Sequence, residues 1–178
     1  MGESMSAEYT NFLRNKIRLA DFAGYDVDES EINPILKPHQ RAIVKWAVRG
    51  GCRAIFAAFG LGKSVMQIET LRLVQNRAGG NVLVCAPLGV RQEFRRDGLM
   101  LGVEFKFIRS ADEMDDQHTF YLTNYESIRD GKLDPNIFCA VSLDEASVLR
   151  SYGSKTYQTF LDLFQNVRFR FVATATPS

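Results

Sequence analysis

A chain of 178 residues is one domain of ordinary size, long enough to bury roughly 70% of the surface its unfolded form exposes. With 46% hydrophobic and 24% charged residues it has a globular composition, and a net charge of +1 excludes a global field that favours nucleic acid or membrane. Any nucleic-acid contact must come from a local basic face. The three cysteines, Cys52, Cys85 and Cys139, form no CxxC pair, and with only His39 and His118 beside them they argue against zinc. Two of them lie in apolar runs, which predicts buried thiols in a reducing cytosol. No apolar run of about 18 residues predicts a membrane span, and no charged-then-apolar leader opens the sequence.

In chain order, Tyr9 to Phe22 sets Phe12, Leu13, Ile17 and Leu19 among basic residues, the pattern of an amphipathic helix. A polar, acidic connection follows, from Tyr25 to Asn33. In LKPHQRAIVKWAVRGG, Pro38 suits the first helical position and Gly50-Gly51 stops the helix. Ile43, Trp46 and Ala47 share a face there, which predicts Trp46 in the core. The apolar run Ala54 to Ala58 predicts a strand, and beyond it Val65, Ile68 and Leu71 recur at helical spacing. Gly79-Gly80 ends that helix, and Asn81 to Ala86 starts a buried strand. Pro87-Leu88-Gly89 leads into a helix around Arg91 to Met100. Further strands are predicted at Val103 to Ile108, Thr119 to Thr123, Phe138 to Leu143 and Phe169 to Ala175. An acidic loop, Ala111 to Gln117, and a helix near Lys155 to Phe164 complete the pattern. Strands alternating with helices define an α/β fold, a mostly parallel sheet flanked by helices on both faces.

The stretch from Arg53 to Glu69, RAIFAAFGLGKSVMQIE, joins the first strand to its helix through Gly60-Leu61-Gly62 and Lys63-Ser64. A strand, a glycine-rich turn and a helix opening on Lys-Ser make a phosphate-binding P-loop. Glycines let successive backbone N–H groups point into one concavity, and the helix adds its unsatisfied donors and positive dipole end. Lys63 is expected to reach the β- and γ-phosphates and the Ser64 hydroxyl to ligate magnesium. The pattern GxxxxGK[ST] asks for glycine where this chain has Ala57, the smallest substitute.

Two further motifs finish apolar strands. VSLDEAS, Val141 to Ser147, delivers adjacent carboxylates at a strand's carboxyl end, the edge where open α/β sheets bind ligands. Asp144 is expected to hold magnesium through water, and Glu145 to orient and deprotonate an attacking water. ATATP, Ala173 to Pro177, offers the hydroxyls of Thr174 and Thr176, able to bond toward the acidic pair and relay nucleotide state.

HQ at 39–40, GLGKS at 60–64, APLG at 86–89, LTNYE at 122–126, LDEAS at 143–147 and TATPS at 174–178 occur in that order. The series resembles the first RecA-like lobe of superfamily 2 helicases and translocases. DEASVLRSYGSKTY is similar to the Swi/Snf-type version, as found in helicase proteins of phages and prophages. The resemblance covers Leu36 to Ser178 and leaves residues 1–35 as an N-terminal helical extension. It implies ATP and magnesium as cofactors, with Gln40 on the adenine edge. It also implies that Phe59, Gly60, Leu61, Gly62, Lys63 and Ser64 hold the nucleotide. Arg91, Asn124 and Tyr125 fall in motifs that resemble those touching a DNA backbone. Ser147 stands where the family usually has histidine or aspartate, and with Thr174 and Thr176 it is the expected coupling set. The sequence stops at the third motif, so the second lobe, with its arginine fingers, is expected as a missing partner.

These readings converge on the ATP-binding lobe of a DNA-dependent ATPase, a helicase or duplex translocase of a bacterial or phage-infected cytoplasm. Lys63, Asp144 and Glu145 are its expected catalytic residues, working when a second lobe is present. Two alternatives stay open. Another P-loop enzyme, such as a small-molecule kinase, gives no reason for Gln40 or the TATP ending. A stand-alone, non-catalytic nucleotide- or DNA-binding module is the other. Among the basic residues Arg91 is best placed for phosphate contact, while Arg95 and Arg96 read as a solvated helix face. The acidic stretch Asp112 to Asp116 is expected away from any phosphate track.

Overall fold

The computed structural model describes residues 23–145 and 162–175. Its strands are β1 (Cys52–Phe56), β2 (Val82–Cys85), β3 (Phe105–Phe107), β4 (Phe120–Thr123), β5 (Ala140–Asp144) and β6 (Phe169–Thr174). They form one sheet in the order β1-β6-β5-β2-β4-β3, parallel at every pairing. The α-helices among the described residues are α1 (Pro38–Gly50), α2 (Lys63–Ala78), α3 (Arg91–Met100) and the short α4 (Tyr125–Arg129).

Period-two alternation sorts the strand side chains into two cores, as a sheet covered on both faces requires. Val82, Val84, Leu122, Ala140 and Phe171 join Val44 of α1, Leu71 of α2 and Phe94 of α3 on one side. Leu83, Cys85, Tyr121, Val141 and Leu143 join Ile128 of α4 and Phe164 on the other. The expected parallel α/β sheet is therefore present. Its strands lie within about two residues of their predicted bounds, with β1 shifted two residues earlier and β5 running on to Asp144. Only α4 was not foreseen, being too short for helical periodicity to register. The predicted helix at 9–22 lies outside the described residues. Of the helix predicted at 155–164, residues 162–164 are described and helical.

Because the strands run one way, their carboxyl ends share one edge of the sheet. Phe56 lies opposite Thr174 there, and Asp144 opposite Ala173. The ladder continues past the strands through Ala57 N–H to the Thr174 carbonyl (3.3 Å) and Glu145 N–H to the Ala173 carbonyl (2.8 Å). Motifs scattered over the sequence are thus carried to a common line by register alone.

Helix α1 corrects one expectation. Trp46 is 47% exposed, with the Arg53 guanidinium 5.4 Å from its ring centroid. The buried stripe runs instead through Gln40, Val44, Ala47 and Val48. The stripe begins at Gln40 because that amide turns inward to the P-loop, and the rotation this imposes carries Trp46 out of the core. Among the cysteines, Cys85 is buried and its burial pushes the thiol pKa up, whereas Cys52 and Cys139 are partly exposed.

The described part of the N-terminal segment is built into the lobe. Ala23, Gly24 and Tyr25 donate their N–H groups to the last carbonyls of α1, those of Gly50, Arg49 and Val48. The Tyr25 hydroxyl donates to the Leu73 carbonyl of α2, and burial, partly offset by Arg77, pushes its pKa up to about 12. Glu69 of α2 is 0% exposed and takes two hydrogen bonds of 2.7 Å from Arg72 and one of 2.7 Å from the Asn33 N–H. Arg72→Ala should leave that carboxylate buried without a countercharge, a loss of about 3–5 kcal/mol. Urea unfolding checks this, and a loss under about 1 kcal/mol would mean that Glu69 reaches solvent or protonates instead.

Candidate functional site

The loop after β1 is shaped by two left-handed glycines, Gly60 (φ 85°) and Gly62 (φ 74°). Gly62 is required twice over. Its backbone lies where side chains are strained, and a Cβ on it would sit 2.4 Å from Gln40 Nε2. Helix α2 opens on the next residue, so its first turn faces the loop's concavity. Ala57, the departure from the glycine pattern, is buried in the core beneath the loop. Gln40 binds across two elements. Its Oε1 accepts from the Lys37 N–H (2.9 Å), capping α1, and its Nε2 donates to the Leu61 carbonyl (3.0 Å). Phe59 is fully exposed and Leu61 half exposed at the loop's outer side.

Lys63, first residue of α2, reaches both carboxylates at the end of β5. Its Nζ lies 3.0 Å from Glu145 Oε2 and 3.2 Å from Asp144 Oδ1. Burial works to lower the ammonium's pKa, but the two carboxylates together outweigh it and the net shift is upward. Asp144 is itself held by Gln67 Nε2 (2.8 Å), one turn along α2, whose Oε1 accepts from the Ser142 hydroxyl (2.7 Å). Glu145 has a left-handed backbone, φ 53°, a conformation that costs a non-glycine residue about 1–3 kcal/mol. Its N–H is bound to β6, and its Oε1 accepts from Thr174 Oγ1 (3.0 Å). The acidic pair and the third motif therefore meet directly.

Ser64 turns away from this pair. Its Oγ donates to Asp97 Oδ2 of α3 (2.6 Å), and Glu93 Oε1 lies 3.3 Å away. A cavity of about 470 Å³ lies here, bounded by Gly60, Lys63, Ser64, Asp97, Asp144 and Glu145. That volume is ample for a small ligand. Sequence reasoning missed Gln67, Glu93 and Asp97. Gln67 had a signal, since it stands one helical turn after Lys63 on the buried face of α2.

The residues expected at a nucleic-acid track are more scattered. Arg91, at the start of α3, is partly exposed with its guanidinium 4.7 Å from the Phe107 ring centroid. The Asn124 amide is engaged within its own turn, donating to Glu126 (2.7 Å) and accepting from Ser127 (2.6 Å). Tyr125 is 2% exposed, and its hydroxyl donates to the Asp144 carbonyl (2.5 Å). Tyr125 is thus a core tyrosine that braces the acidic motif from within. Arg96, read as a solvated side chain, is exposed yet also ion-paired to Asp97 (2.9 Å). In the acidic loop, Asp115 is bound by Lys106 and His118. Ser147 and Thr176 lie outside the described residues.

A parallel sheet carrying these motifs along one edge is a RecA-like α/β fold. Among solved structures it is similar to the Sulfolobus solfataricus SWI2/SNF2 ATPase core in complex with dsDNA, with a TM-score of 0.69 and 18% identity over 86% of this chain. It is also similar to two structures of the UvsW helicase of bacteriophage T4, with TM-scores of 0.62 and 0.60 at 14% and 15% identity, each over 79% of this chain. The chain spans 34% of the Sulfolobus protein and 52% and 30% of the two UvsW chains. No family model and no curated sequence matches it.

Gln67 joins β5 to α2 through two buried hydrogen bonds, and leucine in its place leaves the Ser142 hydroxyl unmet and takes one partner from Asp144. Gln67→Leu should lower stability by about 1–3 kcal/mol in urea unfolding. No loss would mean that Ser142 and Asp144 find partners elsewhere.

Proposed function

We propose that this chain is the ATP-binding lobe of a DNA-dependent ATPase of helicase or duplex-translocase type. The observation that carries the reading is the Lys63 ammonium between Asp144 and Glu145, beside a glycine loop that opens directly into a helix. A phosphate chain entering the cavity meets the loop, the positive end of α2 and a cation already charged at neutral pH. Lys63 can exchange its carboxylates for phosphate oxygens by rotating its flexible stem. That rotation releases Glu145 Oε2, while Oε1 stays on Thr174. Glu145 Oε2 can then turn to a proton of the attacking water, on a side chain that Thr174 holds in direction.

The oxygen donors fit magnesium. Among the described residues no three His, Cys, Asp or Glu side chains form a ready cage, and magnesium needs none, since it keeps several waters and takes one or two protein oxygens. Ser64 and Asp144 would hold it. When bound, it neutralises charge on the phosphate oxygens. Gln40 retains one amide proton and acceptor capacity beyond its bonds to Leu61 and Lys37, which supports a role at the adenine edge. The hydrogen bond between Thr174 and Glu145 favours a motor lobe over a kinase, because it ties the third motif to the water-activating group. The greater length of the similar proteins supports a second lobe, whose cation would face Lys63 across the phosphates.

ATP should bind to the chain alone at about −5.5 to −7 kcal/mol, roughly 100 to 10 micromolar, half a cleft giving modest affinity. Lys63→Ala should weaken it at least about tenfold, and calorimetry with unchanged affinity would remove the phosphate assignment.

The Sulfolobus protein was solved on dsDNA, and Arg91 in the helix after APLG supports a backbone contact here. DNA binding should be weak, indifferent to sequence and salt-sensitive, and Arg91→Ala should reduce the salt slope by about one. An anisotropy titration with tight, salt-independent binding would refute the motor reading.

A further inference from the structure

We propose that Asp97 is a positioning residue for Ser64: it takes the hydroxyl proton and so turns the oxygen's lone pairs into the cavity. The inference rests on the reading of Ser64 as a metal ligand given above. A serine hydroxyl has one proton and two lone pairs, and as a free rotor it can aim either at a cation. The 2.6 Å bond to Asp97 Oδ2 removes that freedom, while Glu93, at 3.3 Å, is the weaker acceptor. Donating its proton to a carboxylate also makes the serine oxygen a better electron-pair donor to a cation, as outer partners of metal ligands do.

Asp97 is built for the task. It is 4% exposed, and its other oxygen is fixed by Arg96 through Nε (3.0 Å) and a terminal nitrogen (2.9 Å). The guanidinium supplies the countercharge that a buried carboxylate needs. The next residue fixes the distance. A Cβ on Gly98 would meet the Val103 carbonyl at 2.8 Å and the Phe105 ring at 2.9 Å, so glycine lets α3 sit close against the chain entering β3. The helix therefore cannot carry Asp97 away from Ser64 without losing that packing.

The test is calorimetric titration of the 178-residue chain with ATP, once in magnesium chloride and once in EDTA. Magnesium should strengthen binding to wild type. Asp97→Ala should erase about tenfold or more of the magnesium-dependent gain and leave binding in EDTA unchanged. Asp97→Asn, the same size without the charge, should lose part of the gain, and it carries the test if circular dichroism finds Asp97→Ala unfolded. In a Ser64→Ala background, Asp97→Ala should add nothing, since both changes remove one interaction. Equal losses in magnesium and EDTA, or losses that add in the double variant, would overturn the proposal in favour of a packing role. A full magnesium gain in both Asp97 variants would overturn it while leaving the nucleotide reading intact. A wild type that gains nothing from magnesium would overturn both.

Discussion

An ammonium shared by two carboxylates holds the working edge of this sheet together. Lys63 begins α2, Asp144 and Glu145 end β5, and Glu145 passes the connection to β6 through Thr174. None of these groups is comfortable at low exposure alone, since a buried charge is tolerated only with its partner and its remaining hydrogen bonds. Gln67 supplies one to the Asp144 carboxylate from below and is held in turn by Ser142, while Tyr125 binds the Asp144 carbonyl. The result is a polar layer laid on an apolar sheet, in which each side chain's direction depends on two or three others.

The same layer explains how Glu145 keeps its left-handed backbone. Three fixed bonds act on one residue, at its N–H and at each carboxylate oxygen. They outweigh a strain of a few kcal/mol, and such outliers gather where a side chain must point in one direction. Glycine would relax the backbone but would remove the group that the geometry presents.

What was legible in the sequence was what is local. Strand, turn and helix follow one another in RAIFAAFGLGKSVMQIE, and the parallel sheet follows from the alternation of elements. Lys63, Asp144, Glu145 and Thr174 each finish or begin an element, so their meeting follows once parallel register puts those ends side by side. The rest depended on partners far along the chain. Asp97 looks like one more charge in QEFRRDG, and only the packing of α3 against α2 sets it on Ser64. Tyr125 sits in a motif that resembles a DNA contact, and only the carbonyl that β5 brings to its hydroxyl marks it as core. Trp46 misled because its apolar bulk outweighed a glutamine in the helical pattern, whereas the glutamine had the more demanding contact.

The strand order also governs when this edge can exist during synthesis. Among the described residues β1, which leads into the glycine loop, lies at the border of the sheet with β6 as its one neighbour. All of β2 to β5 is made between the two. A growing chain holds the loop early, but its parent strand lacks its described ladder until β6 emerges. Loop closure on that scale is slow compared with hairpin formation. The earliest motif translated is therefore among the latest to be shaped, and a chain cut short of β6 leaves a strand edge open to other chains.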